Sequence, residues 1–234
     1  MITKQKEPII VSEIVNALVV NQEKLAPDHF RLHLSAPEVA SEAKPGQFLH
    51  LSCSYALDPL LRRPISIHKV QREQGIVTLF YRATGRGTAI LSQLKAGATV
   101  NLLGPLGRGF ILPDQGQQPV LIAGGMGIAP LLFLAGELAG KRCTAQVYVG
   151  AVTAQQLFFI DELSDYGHSV HISTDNGSAG RRGTVTALLT DYLATLSPGH
   201  INKLKVFACG PNGMLRNLSG IISSAGITGE MSLE

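Results

Sequence analysis

The sequence predicts a β + α/β fold: an N-terminal antiparallel β-barrel over residues 1–113, then a parallel α/β domain over residues 114–234. Up to Pro113 the chain is a series of short apolar runs rich in β-branched residues, separated by Gly, Pro or charged turns. Beyond it, short apolar runs alternate with helix-length stretches, which implies a parallel sheet with crossover helices. The two rhythms meet in the polar stretch Leu112-Pro113-Asp114-Gln115-Gly116-Gln117-Gln118-Pro119, bracketed by prolines.

In the first half, strands are expected over residues 9–20, 30–34, 47–52, 65–70, 76–82 and 99–103; Phe30-Arg31-Leu32-His33-Leu34 alternates strictly. A short helix is expected over residues 88–94, with Thr88 as its N-cap. Several strands with few helices favour closure into a barrel, which leaves no exposed sheet edge. In the second half, strands are expected over residues 120–123, 146–150, 168–174 and 205–209. The intervening helices fall over residues 128–139, 157–163, 185–196 and 213–224.

Composition narrows the function classes. Hydrophobic residues make up 45% of the 234 and charged residues 16%, which describes a core-rich globular chain. The net charge of +3 is scattered, with doublets such as Arg62-Arg63 and Arg181-Arg182 as its densest points, so nucleic acid is not an expected partner. No apolar run approaches the roughly 18 residues of a membrane span, and the N-terminus lacks the apolar core of a signal peptide; the expected location is cytoplasmic. Cys53, Cys143 and Cys209 form neither a disulfide framework nor a CxxC pair. His29 and His33 lie on one expected strand without further ligands, so no metal is assigned. No nucleophile-elbow Ser and no convincing carboxylate pair is present.

Arg63-Pro64-Ile65-Ser66 opens an expected strand. Arg offers a planar fork for a diphosphate, Pro64 stiffens the backbone, and Ser66 is suited to bonding the edge of a flavin ring; the same residues also read as a turn and an ordinary edge strand. Phe80-Tyr81-Arg82 and Gly85-Arg86-Gly87-Thr88 follow. The second is a Gly-rich turn feeding a helix, fit either for phosphate oxygens or as a capped surface turn. Gly124-Gly125-Met126-Gly127-Ile128-Ala129-Pro130 follows an apolar strand and opens a helix, the context of a dinucleotide phosphate loop, although it is not GxGxxG. Asp175, beyond the next-but-one strand, is placed to bond ribose hydroxyls and repel a 2′-phosphate, favouring NADH, whereas Arg181 and Arg182 argue for NADPH; each of these residues reads equally as part of a solvated loop. Cys209-Gly210-Pro211 ends a strand where a parallel sheet places ligands. Cys209 reads either as a wall for the nicotinamide or as a buried structural cysteine.

Together these residues resemble the ferredoxin–NADP⁺ reductase superfamily, and within it the electron-transfer subunits of NAD-dependent (class 1B) dihydroorotate dehydrogenases. Leu61-Arg62-Arg63-Pro64-Ile65-Ser66-Ile67, Gly124 through Pro130, and Cys209-Gly210-Pro211 carry the superfamily likeness. Thr174-Asp175-Asn176-Gly177-Ser178 with Gly183-Thr184-Val185-Thr186 carries the narrower one.

The resemblance implies an FAD-binding barrel followed by a Rossmann-like NAD-binding domain. Arg63, Pro64, Ile65, Ser66, Phe80, Tyr81, Arg82, Gly85, Gly87 and Thr88 would lie against FAD. Gly124, Gly125, Met126, Gly127, Asp175, Cys209, Gly210 and Pro211 would face NAD(H). Ser66 and Cys209 would flank the reacting atoms. It also implies a hetero-oligomer with an FMN-containing catalytic subunit that oxidises dihydroorotate in pyrimidine biosynthesis. Relatives carry a [2Fe-2S] cluster on a C-terminal Cys-rich segment; here residues 229–234 resemble its lead-in and no cluster ligands follow, which reads either as a chain cut short before that segment, the favoured expectation, or as a variant without the cluster. Two alternatives remain at this level: a reductase subunit serving a hydrogenase, sulfide or ferredoxin system, and a redox-inactive flavin- or nucleotide-binding scaffold.

Overall fold

Alternation of apolar and polar residues decides the first half. The computed structural model describes residues 13–54 and 58–233. Strands β1 (Glu13–Ala26), β2 (His29–Ser35), β3 (Phe48–Leu51), β4 (Arg63–Gln71), β5 (Ile76–Arg82) and β6 (Thr99–Leu106) close into an antiparallel barrel in the order β1-β2-β5-β4-β3-β6. Leu32, Leu34, Leu49, Ile67, Leu79 and Leu102 are fully buried within it. The first strand extends well past the expected residue 20, while residues 9–12 of that expectation lie outside the described residues.

Two local readings are corrected. Helix α1 (Pro37–Glu42) was not foreseen; Pro37 fits its first turn, where a missing N–H costs nothing. Helix α2 (Arg86–Leu91) starts earlier than expected, and Gly85, not Thr88, is its cap. Thr88 sits three residues in, and its Oγ1 accepts from the backbone N–H groups of Thr84 (3.1 Å) and Gly85 (3.2 Å). A threonine reaching back in this way satisfies donors that the helix itself leaves open.

The second half alternates strand and helix: β7 (Gln118–Gly124), α3 (Ile128–Gly140), β8 (Gln146–Ala151), α4 (Ile160–Asp165), β9 (Ser169–Thr174), β10 (Arg181–Arg182), α5 (Val185–Ala194), α6 (Pro198–Ile201), β11 (Leu204–Cys209), α7 (Asn212–Ser224) and β12 (Thr228–Ser232). The sheet is parallel throughout, in the order β10-β9-β8-β7-β11-β12. The chain steps outward from β7 on one side and returns to its other side at β11. The carboxyl ends of β7 and β11 therefore flank the switch point at which such sheets bind ligands. Short β10, α6 and β12 were not foreseen; β12 reads TGEMS and carries no apolar run.

Strands β7 and β11 are buried on both faces, as central parallel strands must be. Leu121, Ala123, Phe207 and Cys209 pack in the cluster that holds α3, and Val120, Ile122, Val206 and Ala208 in the cluster that holds α5 and α7. Helix α3 begins IAPLLFLA, apolar on every side, so every side needs cover. The sheet cluster takes Leu131, Leu132, Leu134 and Ala135, while Phe133 joins the barrel cluster.

The halves meet where β4 and β5 face α3 and α4. His68 of β4 is buried there; its Nδ1–H donates to Ala129 O (3.2 Å) in the first turn of α3. Its ring lies 4.4 Å from Phe159 and 5.7 Å from Phe80, and Phe159 meets Phe80 edge-on at 4.9 Å. Phe159 caps α4 with φ +60°, a left-handed conformation that costs a bulky residue about 1–3 kcal/mol. Arg31 lies over the same ring at 5.6 Å. At the rim, Lys69–Glu162 and Arg72–Glu137 each close to 2.5 Å. Both are partly solvated and contribute roughly 0–1 kcal/mol apiece. Burial works to raise Glu162, but the Lys69 hydrogen bond and charge outweigh it and hold the carboxyl below its usual range.

Burial pushes His68 down to about 4, with Arg31 and Lys69 adding to the drop and the Ala129 hydrogen bond and Glu162 opposing it. A histidine depressed in the fold binds its proton more readily once unfolded. Its share of stability is therefore complete above pH 6.5 and is lost as pH falls from 6.5 towards 4. We expect urea unfolding to show wild type losing about 2 kcal/mol more than His68→Leu between pH 7 and pH 5, at 1.36 kcal/mol per unit. Parallel losses in the two proteins would show that His68 is not neutral in the fold.

Candidate active site

Two cavities flank the loop after β7, the first at the junction of the halves and the second within the parallel half. The first, about 490 Å³, is lined by Arg63, Ser66, Phe80 and Tyr81 of the barrel and by Met126 and Ala129 from the start of the second half. Pro64, Ile65, Arg82 and Thr88 also line it. The second, about 440 Å³, lies over the carboxyl ends of the parallel strands and is lined by Gly124, Gly125, Gly150, Asp175, Thr184 and Pro211, among others. The loop after β7 thus presents Gly124 and Gly125 to one cavity and Met126, with Ala129 beyond it, to the other.

Barrel pairing brings the first set together. Ser66 stands opposite Phe48, and Arg63 opposite Leu51. The Arg63 guanidinium is pinned by Nη1 donating to Leu61 O (2.8 Å) and Arg62 O (3.3 Å). It joins no carboxylate in a salt bridge among the described residues. A Cβ on Gly87 would stand 2.8 Å from Arg63 Nε, so the missing side chain is what lets the guanidinium lie across the start of α2. Burial pushes the Tyr81 phenol up, so it stays protonated and donates to Gln22 Oε1 (3.0 Å). Arg82 is committed to Asp28, with Nε donating at 2.6 Å.

The glycines of the second set divide by role. A Cβ on Gly127 would fall 2.0 Å from Cys209 O, and one on Gly124 would fall 2.5 Å from Met214 Sδ. Gly210 likewise abuts Met214 and Gly124. These three let the ends of β7, β11 and α7 close on one another. Gly125 is different: its φ is +52° and nothing stands within 4 Å of its would-be Cβ, so it opens onto the second cavity.

Five of the expected site residues line neither cavity: Gly85, Gly87, Gly127, Cys209 and Gly210. Cys209 is fully buried in the cluster with Ala129 and Phe207, and of its tripeptide only Pro211 reaches the second cavity. The cause is strand parity. Cys209 lies two residues after Phe207, on the α3 face of β11, so its side chain enters the core. Asp175 lines the second cavity, whereas Arg181 is paired with Asp191 and neither Arg181 nor Arg182 reaches the lining.

Several lining residues were missed. Gly150 is the penultimate residue of β8, and the strand-end rule applied to Gly124 and Cys209 would have found it. Thr184 and Thr186 follow from the same rule one connection later. Phe48 and Ser232 had no local signal, because they reach the first cavity only through strand pairing and the addition of β12. Among the described residues, no group of three or more His, Cys, Asp or Glu is arranged to hold a metal ion, and no helix is long and apolar enough to cross a membrane.

The glycine roles are separable by mutation. Gly127→Ala is expected to cost about 3 kcal/mol of stability through overpacking, and Gly125→Ala about 1 kcal/mol through its positive φ, both read as urea midpoints. Equal costs would dismiss the distinction.

The family model described as an oxidoreductase FAD-binding domain matches residues 16–110, and that of an oxidoreductase NAD-binding domain matches residues 121–219. The electron transfer subunit of dihydroorotate dehydrogenase B (NAD(+)) from Desulforamulus reducens is 41% identical over 96% of this chain and 84% of its own length. The subunit of the same name from Streptococcus mutans is 40% identical over 86% of this chain and 75% of its own. Among solved structures, an NADH-dependent reduced ferredoxin-NADP oxidoreductase superposes with TM-score 0.81 at 26% identity, over 94% of this chain and 76% of that one. A ferredoxin NADP⁺ reductase from Neisseria gonorrhoeae, with bound FAD and NADP, shares the fold at TM-score 0.76 and 22% identity, over 94% of this chain and 98% of that one. With a flavin-type barrel, a nucleotide-type sheet and cavities that share one loop, the chain belongs to the family of dihydroorotate dehydrogenase B (NAD(+)) electron transfer subunits, NAD(H)-linked flavoprotein oxidoreductases with FAD- and NAD-binding domains.

Proposed function

We propose that this chain carries electrons between NAD(H), bound in the second cavity, and an FAD bound in the first, and exchanges them with a separate FMN-containing subunit that interconverts dihydroorotate and orotate. The observation that carries this is the shared loop: Gly124 and Gly125 line the nucleotide cavity while Met126 lines the other. The division into a flavin half at residues 1–113 and a nucleotide half at residues 114–234 belongs to the same proposal, as do the hetero-oligomer and a cytoplasmic location. The names of the relatives support the partner and its substrate.

The residues fit a flavin dinucleotide. A pinned guanidinium without a carboxylate partner among the described residues lines the first cavity, and the missing side chain of Gly87 is what leaves room for it there. When bound, the flavin supplies two-electron exchange with the nicotinamide and one-electron exchange with later carriers. Arg63 holds the diphosphate through its charged fork. The Ser66 hydroxyl orients the ring edge, and Phe80, Met126 and Ala129 exclude water from the space where the two ligands approach. On the other side, Gly125 lets the NAD(H) diphosphate come close to the backbone, and Asp175 accepts hydrogen bonds from ribose hydroxyls and repels a 2′-phosphate. Cys209 supports the loop from the core and is not assigned a contact with the nicotinamide.

Purified protein is expected to be yellow and to release FAD, not FMN, on denaturation; a colourless protein that resists FAD loading would overturn the reading. Arg63→Ala should weaken FAD binding roughly ten- to hundredfold, the worth of a charge-assisted phosphate bond. Retention equal to wild type would remove Arg63 from the site. With a dye acceptor, Asp175→Ala should narrow the preference for NADH over NADPH, and an unchanged preference would remove Asp175 from selection.

A further inference from the structure

Strand β4 does two things in six residues. It starts with Arg63 and Ser66 on the first cavity, and two positions after Ser66 it delivers His68 into the seam with α3. Because Ala129 O can only accept, the Nδ1 of His68 carries the proton. Its Nε2 is buried, with no hydrogen-bond partner. The ring is clamped by Phe80 and Phe159, and the charged groups around it are Glu162, Arg31 and Lys69.

This bond differs in kind from the other polar ties between the halves. Lys69–Glu162, Arg72–Glu137 and the Glu230 contact to Ile111 N all involve side chains that solvent reaches. His68 is 1% exposed, so its bond is unscreened and directional, while the aromatic contacts beside it leave the ring free to slide. Its acceptor, Ala129, lies two residues beyond Gly127 and itself lines the flavin-side cavity. Moving Ala129 moves the loop that touches both ligands.

We propose that His68 is a positioning residue: through Nδ1–H donating to Ala129 O it fixes the nucleotide loop against the flavin strand, and so sets the rate of hydride transfer between nicotinamide and flavin. The inference rests on the proposed function for its donor and acceptor. The bond itself, and its tautomer, do not depend on that reading. The protein adds no reactant here. NADH still gives up the hydride and the flavin still accepts it.

The test uses FAD-loaded protein and three variants. An Asn amide places its N–H close to where Nδ1 stands, a Gln amide places it near Nε2, and Leu has no donor. Anaerobic stopped-flow with NADH gives the limiting rate of flavin bleaching and the apparent Kd separately. His68→Gln and His68→Leu are expected to lose about tenfold or more in limiting rate with Kd little changed, since a misplacement of about 1 Å can cost a hundredfold. His68→Asn should recover most of the loss. A limiting rate in His68→Gln equal to wild type, or no recovery in His68→Asn relative to His68→Gln, would overturn the proposal.

A second readout needs no activity. In ¹⁵N-histidine spectra of wild type, one ring should be Nδ1–H and neutral down to about pH 5, and should vanish in His68→Asn. His168 should show the opposite tautomer, since its Nδ1 accepts from Ala145 N and its Nε2 donates to Ala135 O. Should the variants fail to fold, this spectrum decides. A neutral His68 ring that is Nε2–H contradicts the bond. If wild type binds NADH but is not bleached, the proposed function fails while the tautomer stands. If wild type is bleached and His68→Gln matches it, the positioning role fails while the function stands.

Discussion

The seam between β4 and the first turn of α3 is the constraint on which the rest depends. A barrel and a parallel sheet could each bury a core alone. They form one site only because the strand that begins with Arg63 and Ser66 lies against the helix that begins at the loop after β7. The first two turns of helix α3 are apolar on all sides, and that composition makes sense only for a helix covered by the sheet and by the barrel at once. His68, Phe80 and Phe159 fill the seam, and solvated ion pairs rim it.

From that seam the cavities follow. The sheet reverses its strand order beside β7, which opens a crevice at the ends of β7 and β11. The same loop that closes the crevice turns Met126 towards the barrel. The glycines of the loop, with Gly210 after β11, show how one arrangement serves two ends. Gly124, Gly127 and Gly210 are there because neighbouring chain comes too close for a Cβ, and Gly125 because the backbone turns left-handed in open space. The glycine motif is thus first a packing motif, and the second cavity is the opening that the packing leaves.

Most of the architecture was legible in the sequence because periodicity reports burial directly. Strict alternation marked β2, and wholly apolar runs marked β7 and β11. What was not legible came from pairing. β12, with its polar TGEMS sequence, is a strand only because β11 offers an edge, and Phe48 reaches the first cavity only because β3 lies beside β4. Arg63, Ser66 and Asp175 were readable as candidates from residue type and place in the chain, and each lines a cavity. Cys209 shows the limit: the motif gave its place in the chain, and strand parity turned its side chain into the core. His68 left no trace in the sequence reading, since its role needs a carbonyl from the other half of the chain.

The central claim is that the two cavities form one electron path, and an anaerobic titration of the FAD-loaded protein with NADH tests it most directly. Followed in the visible flavin band, bleaching should be complete at one NADH per bound flavin, without a partner protein present. A band that stays unchanged while NADH binds would contradict the account.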